Sequence, residues 1–186
     1  MTTDAGVTTL VELVETATGR SVPRTAAGTA LVARETDATA PRDLLASVIA
    51  DATSVVGVVP RIEPSILERL VDGDGRTGRV TFDSGEESRS FDARIVLVGE
   101  ARDHVRGVTE AAIRPLIDDA PVEAFVASGD SPIGVLLVDD RAVVGRFGER
   151  GLVALLVTDD DVIREWAAAT ARRYLEVAER FPATDA

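Results

Sequence analysis

The sequence predicts an α/β domain in which helices flank a mixed β-sheet and a long helix closes the chain. In the first part of the sequence, apolar stripes with helical spacing alternate with short apolar runs. Three apolar runs then follow one another, "IGVLLV", "AVVGRF" and "GLVALLV", and a helical stripe ends the chain. Alternating helices and strands favour parallel neighbours, whereas consecutive strands favour antiparallel hairpins. A sheet that contains both kinds of neighbour is mixed.

The N-terminal 39 residues predict one helix and one strand. Apolar residues recur at helical spacing between Val7 and Ala17, and "GTALVARE" is typical of a strand. We assign residues 1–39 to an N-terminal extension or dimerisation element, and residues 40–186 to the main domain.

The middle of the chain continues the alternation. "TAPRDLLASVIADAT" predicts a helix with a proline in its first turn, and "SVVGVVP" predicts a strand buried on both faces. A helix from Pro64, the turn-rich "DGDGRTG" and a hairpin or exposed excursion over "RVTFDSGEESRSF" follow. "ARIVLVG" is a second buried strand, and apolar residues spaced from Val105 to Ile117 predict the next helix.

The C-terminal part predicts four strands and the closing helix. "VEAFVAS" precedes the three consecutive runs, and Asp139-Asp140 is predicted to be the tight turn between the first two of them. The helix is expected to begin near Thr158, with aspartates in its first turn where the dipole favours them, and to carry an apolar stripe as far as Phe181.

The charge is the strongest compositional signal. The chain has 32 acidic and 20 basic residues, a net charge of −12, and every basic residue other than His104 is arginine, with no lysine, asparagine or glutamine. This composition resembles that of extremely halophilic archaea, whose salt-rich cytosol screens repulsion between carboxylates. The absence of cysteine excludes disulfides and thiolate sites. No apolar run approaches a membrane span or a signal peptide, so we expect a cytoplasmic protein without a membrane partner.

Several stretches carry a resemblance to a known family. They are "DLLASVIADATSVVGVVPRIEPSILERL", "ARIVLVGE" and "DSPIGVLLVDDRAVVGRFGERGLVALLVTDDDVIREWAAATARRYLEVAERF". Together they resemble the effector domain of haloarchaeal transcription regulators of the TrmB-like and filamentation-regulator groups, a domain similar to a degenerate phospholipase D fold. The resemblance implies a non-catalytic regulatory domain without a cofactor, which senses a small metabolite, forms a homodimer, or pairs with a partner regulator.

The resemblance also provides a test for catalysis. Phospholipase D chemistry needs a histidine nucleophile, a lysine two residues later and an aspartate five residues beyond the lysine. If Asp140 is that aspartate, Ile133 and Val135 occupy the other two places; if it is Asp139, Pro132 and Gly134 do. Neither alignment supplies a nucleophile, so we expect no enzyme activity and no catalytic residue, and a turn at Asp139-Asp140.

Candidate ligand-binding residues lie where strands are predicted to end. In open α/β sheets, ligands gather at the carboxyl ends of strands, and arginines there hold carboxylates or phosphates. A pocket for a small polar or anionic metabolite is therefore expected from Arg61, Ser128 and Asp130, with Glu100 nearby. Asp140 and Arg146 are added to it because Arg146 lies on the hairpin whose turn is Asp139-Asp140.

Two alternative functions remain open from the sequence. The acidic clusters Asp118-Asp119 and Asp159–Asp161 suggest a metal-assisted phosphodiester or ester hydrolase, although helix caps and an acidic surface explain them better and no metal site is expected. His104 has no nucleophile motif to serve and is interpreted as a solvated loop residue. A compact DNA-binding protein would use the N-terminal segment, but this segment lacks a complete helix-turn-helix, which leaves direct DNA binding uncertain.

Overall fold

The computed structural model describes residues 5–62, 92–106, 122–149 and 151–181. Within these ranges the chain forms four helices and eight strands. The helices are α1 (Ala5–Thr18), α2 (Ala40–Ala50), α3 (Gly99–Arg106) and α4 (Asp161–Leu175). The strands are β1 (Ala30–Ala33), β2 (Ser54–Val59), β3 (Asp92–Leu97), β4 (Val122–Val126), β5 (Ile133–Val138), β6 (Arg141–Gly148), β7 (Gly151–Thr158) and β8 (Glu179–Arg180).

All eight strands belong to one sheet, in the order β1-β7-β6-β5-β2-β3-β4-β8. The strands β2, β3 and β4 are parallel to one another, whereas β5, β6 and β7 form antiparallel hairpins and β2 lies antiparallel to β5. The predicted α/β class with a mixed sheet flanked by helices is therefore confirmed. None of the helices in the described ranges combines the length and the hydropathy needed to cross a membrane.

Two layers of helices cover the two faces of the sheet. On the first face, Leu10 and Val14 of α1 and Ile163 of α4 pack against β5, β6 and β7. On the second face, α2 packs on the same three strands through Leu45 and Ile49. The helix α3 packs on β3 and β4. Alternating apolar residues on these strands supply both cores because successive side chains point to opposite faces.

The N-terminal segment is part of this sheet. The strand β1 pairs antiparallel with β7, from Ala30 opposite Val157 to Ala33 opposite Ala154. Leu10, Val11 and Val14 are at most 1% exposed and share a core with β5, β6 and β7. In the described structure, residues 5–39 and the strands of the main domain thus share one hydrophobic core.

The closing helix is shorter than its apolar stripe predicts. It ends at Leu175, and the chain then turns so that β8 pairs with β4. Phe181, expected on the helix, instead donates its backbone N–H to the Ala124 carbonyl and packs beside α3, while Val177 is 70% exposed. The chain therefore favours hydrogen bonds to the otherwise unpaired edge of β4 over a continuation of the helix.

Some predicted elements lie outside the described residues. These are the helix from Pro64, the turn-rich "DGDGRTG", the hairpin that follows it, and the part of the stripe beyond Arg106.

Candidate functional site

Asp139 and Asp140 form the two-residue turn between β5 and β6. Val138 pairs with Arg141 across this turn, as predicted from the sequence. Asp139 has a backbone φ of 49°, the one positive value at a non-glycine position in the described chain. Aspartate tolerates this conformation because its short side chain can form hydrogen bonds locally.

The Asp139 carboxylate attaches the turn to the start of β2. Its Oδ1 accepts hydrogen bonds from the Thr53 backbone N–H at 3.0 Å, the Thr53 hydroxyl at 2.8 Å and the Ser54 N–H at 2.8 Å. Burial alone would raise the pKa of Asp139, but the hydrogen bonds from Thr53 and Ser54 outweigh it and hold the pKa below its usual range. The Asp139 carboxylate therefore holds the turn against β2 through these hydrogen bonds, which the sequence did not predict.

Arg61 lies on the other side of the sheet from the Asp139-Asp140 turn, where the parallel strands β2, β3 and β4 have their carboxyl ends. We call this side the carboxyl edge. It follows β2, and its guanidinium donates to the Gly148 carbonyl of β6 and to the Glu100 carboxylate, with an Nη2–Oε2 distance of 2.7 Å. The Arg61 side chain is 22% exposed. It thus connects three elements, the end of β2, the β6–β7 hairpin and the first turn of α3.

Ser128 and Asp130 lie at the same edge, in the loop after β4. Both are exposed. The loop approaches α3 closely, since Gly99 N–H donates to the Gly129 carbonyl at 3.1 Å and a Cβ on Gly99 would meet the Asp130 carboxylate at 2.3 Å. Gly99 has a φ of 50°, a conformation that suits glycine.

Arg146 reaches this edge from β6. It pairs with Ile133 on one side and Ala154 on the other, and by strand alternation it shares the face of Ala142 and Val144 that α1 and α4 cover. The residue is half-buried. No hydrogen bond or ion pair joins its guanidinium to any residue in the described ranges.

Asp140 does not share this edge with the other four candidates. Asp139 N–H donates to the carbonyl of Ser54, the first residue of β2, whereas Arg61 lies beyond the last. A strand of this length separates them by about 20 Å. The prediction that Asp140 and Arg61 share one pocket was therefore wrong. The β5–β6 hairpin has Arg146 near its open end, at the carboxyl edge, and its turn with Asp140 lies at the opposite ends of the strands.

Three of the four places that the two alignments give for phosphodiester cleavage lie in packed structure, and the fourth, Pro132, is exposed. Ile133 and Val135 are buried in the core beneath α1 and α4. A Cβ on Gly134 would lie 3.1 Å from Cε2 of Phe147 and 3.4 Å from Cδ of Pro60. Glycine within a strand signals close approach of another group, which is the sequence feature that could have indicated this contact.

The remaining polar candidates have structural roles in the described chain. Asp160 is the N-cap of α4, where its side chain accepts from the Val162 and Ile163 N–H groups, and it also pairs with Arg20. Asp161 pairs with Arg164. His104 lies in α3, not in a loop, with Nε2 3.8 Å from Glu100 Oε1. Asp118 and Asp119 lie outside the described residues.

The comparisons with known proteins agree with this fold. Among solved structures, the phospholipase D family member Nuc from Salmonella typhimurium is similar with a TM-score of 0.59 and 16% identity, covering 82% of this chain and 97% of Nuc. NucT from Helicobacter pylori gives a TM-score of 0.58 and 15% identity, with 82% and 98% covered. At these identities the likeness shows the fold alone, and the fold is phospholipase D-like as predicted.

TrmBL2, an archaeal chromatin protein whose structure shows a novel mode of DNA binding, is also similar. The TM-score is 0.50 and the identity 11%, and the match covers 94% of this chain. The chain spans 60% of the length of TrmBL2.

One protein family matches the sequence itself. No curated protein sequence matches the chain. A family model does match residues 87–177, about half of the chain, and it describes the middle domain of the methanogenesis regulatory protein FilR1. The matched range includes the Asp139-Asp140 hairpin and α4, on which the resemblance to regulator effector domains was based. Over residues 87–177, 91 of its 186 residues, the chain is therefore similar to the middle domain of the methanogenesis regulatory protein FilR1.

Proposed function

We propose that this chain is a non-catalytic regulatory domain that acts in the cytoplasm, binds a small anionic metabolite at the carboxyl edge of its sheet, and transmits the binding through pairing with a second copy or a partner regulator. The observation that supports a non-catalytic role is that neither alignment has a histidine or a lysine in the places that the cleavage chemistry needs. The nucleophile place is Ile133, in the core, or Pro132, which is exposed. The lysine place is Val135, in the core, or Gly134, where a Cβ would meet Phe147. The family match supports a regulatory role.

Arg146 is the best-placed residue to hold an anion. It is half-buried, at the edge where ligands of open α/β sheets gather, and the described chain provides no carboxylate partner for it. A guanidinium offers a planar fork of donors that fits carboxylate or phosphate. Ser128 and Asp130, exposed at the same edge, would then contact hydroxyl groups of the ligand.

Arg61 has a different part in this proposal. Glu100 and the Gly148 carbonyl already occupy its guanidinium. An incoming anion would compete with Glu100, so binding at Arg61 would loosen the contact between β2 and α3. Replacement of Glu100 by the ligand at Arg61 is thus a way in which binding would change the position of α3 relative to β2.

Calorimetry against a panel of sugar phosphates and nucleotides tests the proposal. We expect Arg146→Ala to weaken binding at least about tenfold, because a charge-assisted hydrogen bond is lost. Arg141→Ala is the matched control, since Arg141 lies on the same strand at the opposite edge and is exposed. A wild-type chain that binds nothing on the panel, or equal losses in both variants, would overturn the ligand site.

The non-catalytic part has its own test. We expect no turnover of generic phosphodiester or ester substrates with Mg²⁺ or Mn²⁺ present. Turnover that Asp140→Ala abolishes would contradict the proposal and favour the metal-assisted hydrolase.

A further inference from the structure

One side of α4 changes from apolar to polar along its length. Four residues at intervals of three and four lie on this side of the helix: Ile163, Trp166, Thr170 and Arg173. Ile163 is buried in the core that α1 shares, and Trp166 packs against the same core. The side of α4 that faces α1 therefore begins with apolar packing and ends with a hydroxyl and a guanidinium.

The polar end of this helix lies at the carboxyl edge of the sheet. Ala142 pairs with Thr158, so β7 ends beside the Asp139-Asp140 turn, and α4 begins directly after it. The helix then crosses the sheet, because Tyr174 in its last turn packs against a cluster that contains Ala127, which directly follows β4. Thr170 and Arg173 are thus at the end of α4 that is nearer the ligand-binding edge.

Arg146 approaches this end of α4 from the sheet. It pairs with Ile133 of β5, and Ile133 is buried in the same core as Ala167 of α4. By strand alternation, the Arg146 side chain is on the face that α4 covers. Thr170 follows Ala167 by three residues and Arg173 by six, towards the carboxyl edge. We call Arg146, Thr170 and Arg173 the α4–β6 site.

Within the described ranges, the three polar groups of the α4–β6 site form no hydrogen bond or ion pair. Thr170 is only 9% exposed, and buried hydroxyls usually have a partner. Thr9 and Thr18 of α1 donate to the carbonyl four residues earlier, as helical threonines commonly do. The two guanidiniums have no carboxylate partner in the described chain, although the net charge is −12. A ligand would therefore meet three unsatisfied donors.

We propose that the α4–β6 site binds the phosphate group of a phosphorylated metabolite, an inference that deepens the ligand part of the proposed function and rests on it. A phosphate monoester carries a charge of about −1.5 to −2 at neutral pH, which matches two guanidiniums, whereas a carboxylate matches one. Each guanidinium offers a planar fork of donors to phosphate oxygens, and the Thr170 hydroxyl adds a further donor. The rest of the metabolite would extend towards Ser128 and Asp130.

Titration calorimetry of the intact chain with inorganic phosphate tests this site. Acetate at the same KCl concentration is the matched carboxylate probe. We expect phosphate to bind at least about tenfold more tightly than acetate, because only phosphate engages both guanidiniums at once. Trp166 is the single tryptophan of the chain and lies one helical turn before Thr170, so its fluorescence should change as phosphate binds.

Variants of α4 identify the groups that hold the phosphate. We expect Arg173→Ala to weaken phosphate binding about tenfold, and Thr170→Val, which keeps the side-chain shape, about threefold. Arg172→Ala is the matched control, since Arg172 is exposed, has the same charge and points to the outer side of α4, and it should stay within about twofold of wild type.

A double variant shows whether two arginines share one phosphate. Arg146→Ala combined with Arg173→Ala should weaken binding by less than the product of the two single losses, because the two guanidiniums hold the same ligand. Circular dichroism checks that each variant is folded.

The outcomes that overturn this inference differ from those that overturn the proposed function. Phosphate binding no tighter than acetate binding would overturn the phosphate assignment. Equal effects of Arg172→Ala and Arg173→Ala would remove α4 from the site. In both cases a metabolite whose binding Arg146→Ala weakens would still support the ligand site of the proposed function, which fails separately if wild type binds no metabolite of the panel.

Discussion

Gly57 shows how one residue without a side chain allows two strands to approach. It lies in β2 opposite Leu136 of β5, and a Cβ on Gly57 would stand 2.2 Å from the Val135 carbonyl oxygen. The obstacle is backbone, so no side-chain rotation relieves it. The parallel and the antiparallel parts of the sheet meet at this pair of strands.

We expect Gly57→Ala to destabilise the protein by about 2–3 kcal/mol, the upper part of the range for overpacking. Urea unfolding followed by circular dichroism measures the change. Gly134→Ala is the graded control, because its Cβ would meet the Phe147 ring at 3.1 Å and a ring edge can shift. Equal costs for the two substitutions would show that the distance from backbone does not decide the effect.

Asp139 gives the fold a dependence on pH. Its folded-state pKa is lowered, so its contribution to stability is present above the unfolded-state pKa and is lost as the pH falls through the folded-state value. We expect Asp139→Ala to cost about 1 kcal/mol at neutral pH, an amount discounted because the carboxylate is exposed.

The pH series identifies the cause. The difference in unfolding midpoint between wild type and Asp139→Ala should shrink as the pH falls below about pH 4, where carboxylates protonate. Asp139→Gly keeps the positive φ accessible and removes only the carboxylate, so it separates the hydrogen bonds from the backbone strain. A constant difference between wild type and Asp139→Gly at all pH values would contradict the role of ionisation.

At the scale of elements, the start of α4 depends on one member of the aspartate triplet. Asp160 caps two backbone N–H groups and pairs with Arg20 at 3.2 Å, which joins α4 to the segment after α1. Its neighbour Asp161 is exposed and contacts only Arg164 in the described chain. The aspartates at the start of α4 therefore contribute unequally to its stability.

We expect Asp160→Ala to lower the free energy of unfolding by about 1–2 kcal/mol, the usual cost of losing an N-cap. Asp160→Ser keeps the cap and loses the ion pair, so it should cost a few tenths of that amount. Asp161→Ala should stay within about 0.5 kcal/mol of wild type. Similar costs at both aspartates in thermal unfolding would refute the unequal roles.

Sequence patterns predicted most elements and part of the site. Strands such as "GLVALLV" and the turn at Asp139-Asp140 follow from local chemistry, and the strand-end rule selected Arg61, Ser128 and Asp130 as candidates. The end of α4 was missed because Val177, Ala178 and Phe181 continue the helical spacing, while the open edge of β4 is a tertiary feature. Asp140 was misplaced for a similar reason. The antiparallel pairing of β5 with β2 puts the β5–β6 turn beside the start of β2, and the sequence does not show which strand β5 pairs with.

At the scale of the whole molecule, the N-terminal helix stabilises the same core as the central strands. Leu10 is fully buried in a cluster that also contains Leu156 of β7 and Ile163 of α4. An independent extension would unfold by itself, whereas a shared core unfolds together.

We expect Leu10→Ala and Leu156→Ala each to cost about 2–5 kcal/mol, as buried leucines do, and each to shift one cooperative transition. Differential scanning calorimetry distinguishes one transition from two. A separate early transition in Leu10→Ala, with the main one unchanged, would show that residues 1–39 fold independently of the rest.

Phe147 follows the register shift in β6 and limits which side chains its neighbours can carry. The ring of Phe147 lies close to two glycines, Gly134 and Gly145, so it fills the space that longer side chains would occupy. A lysine in the place of Gly134 would collide with the ring, and removing the ring would leave a void. A larger residue at Gly134 thus requires a coordinated change at Phe147 in the neighbouring strand, so the sequences of β5 and β6 are coupled at this point.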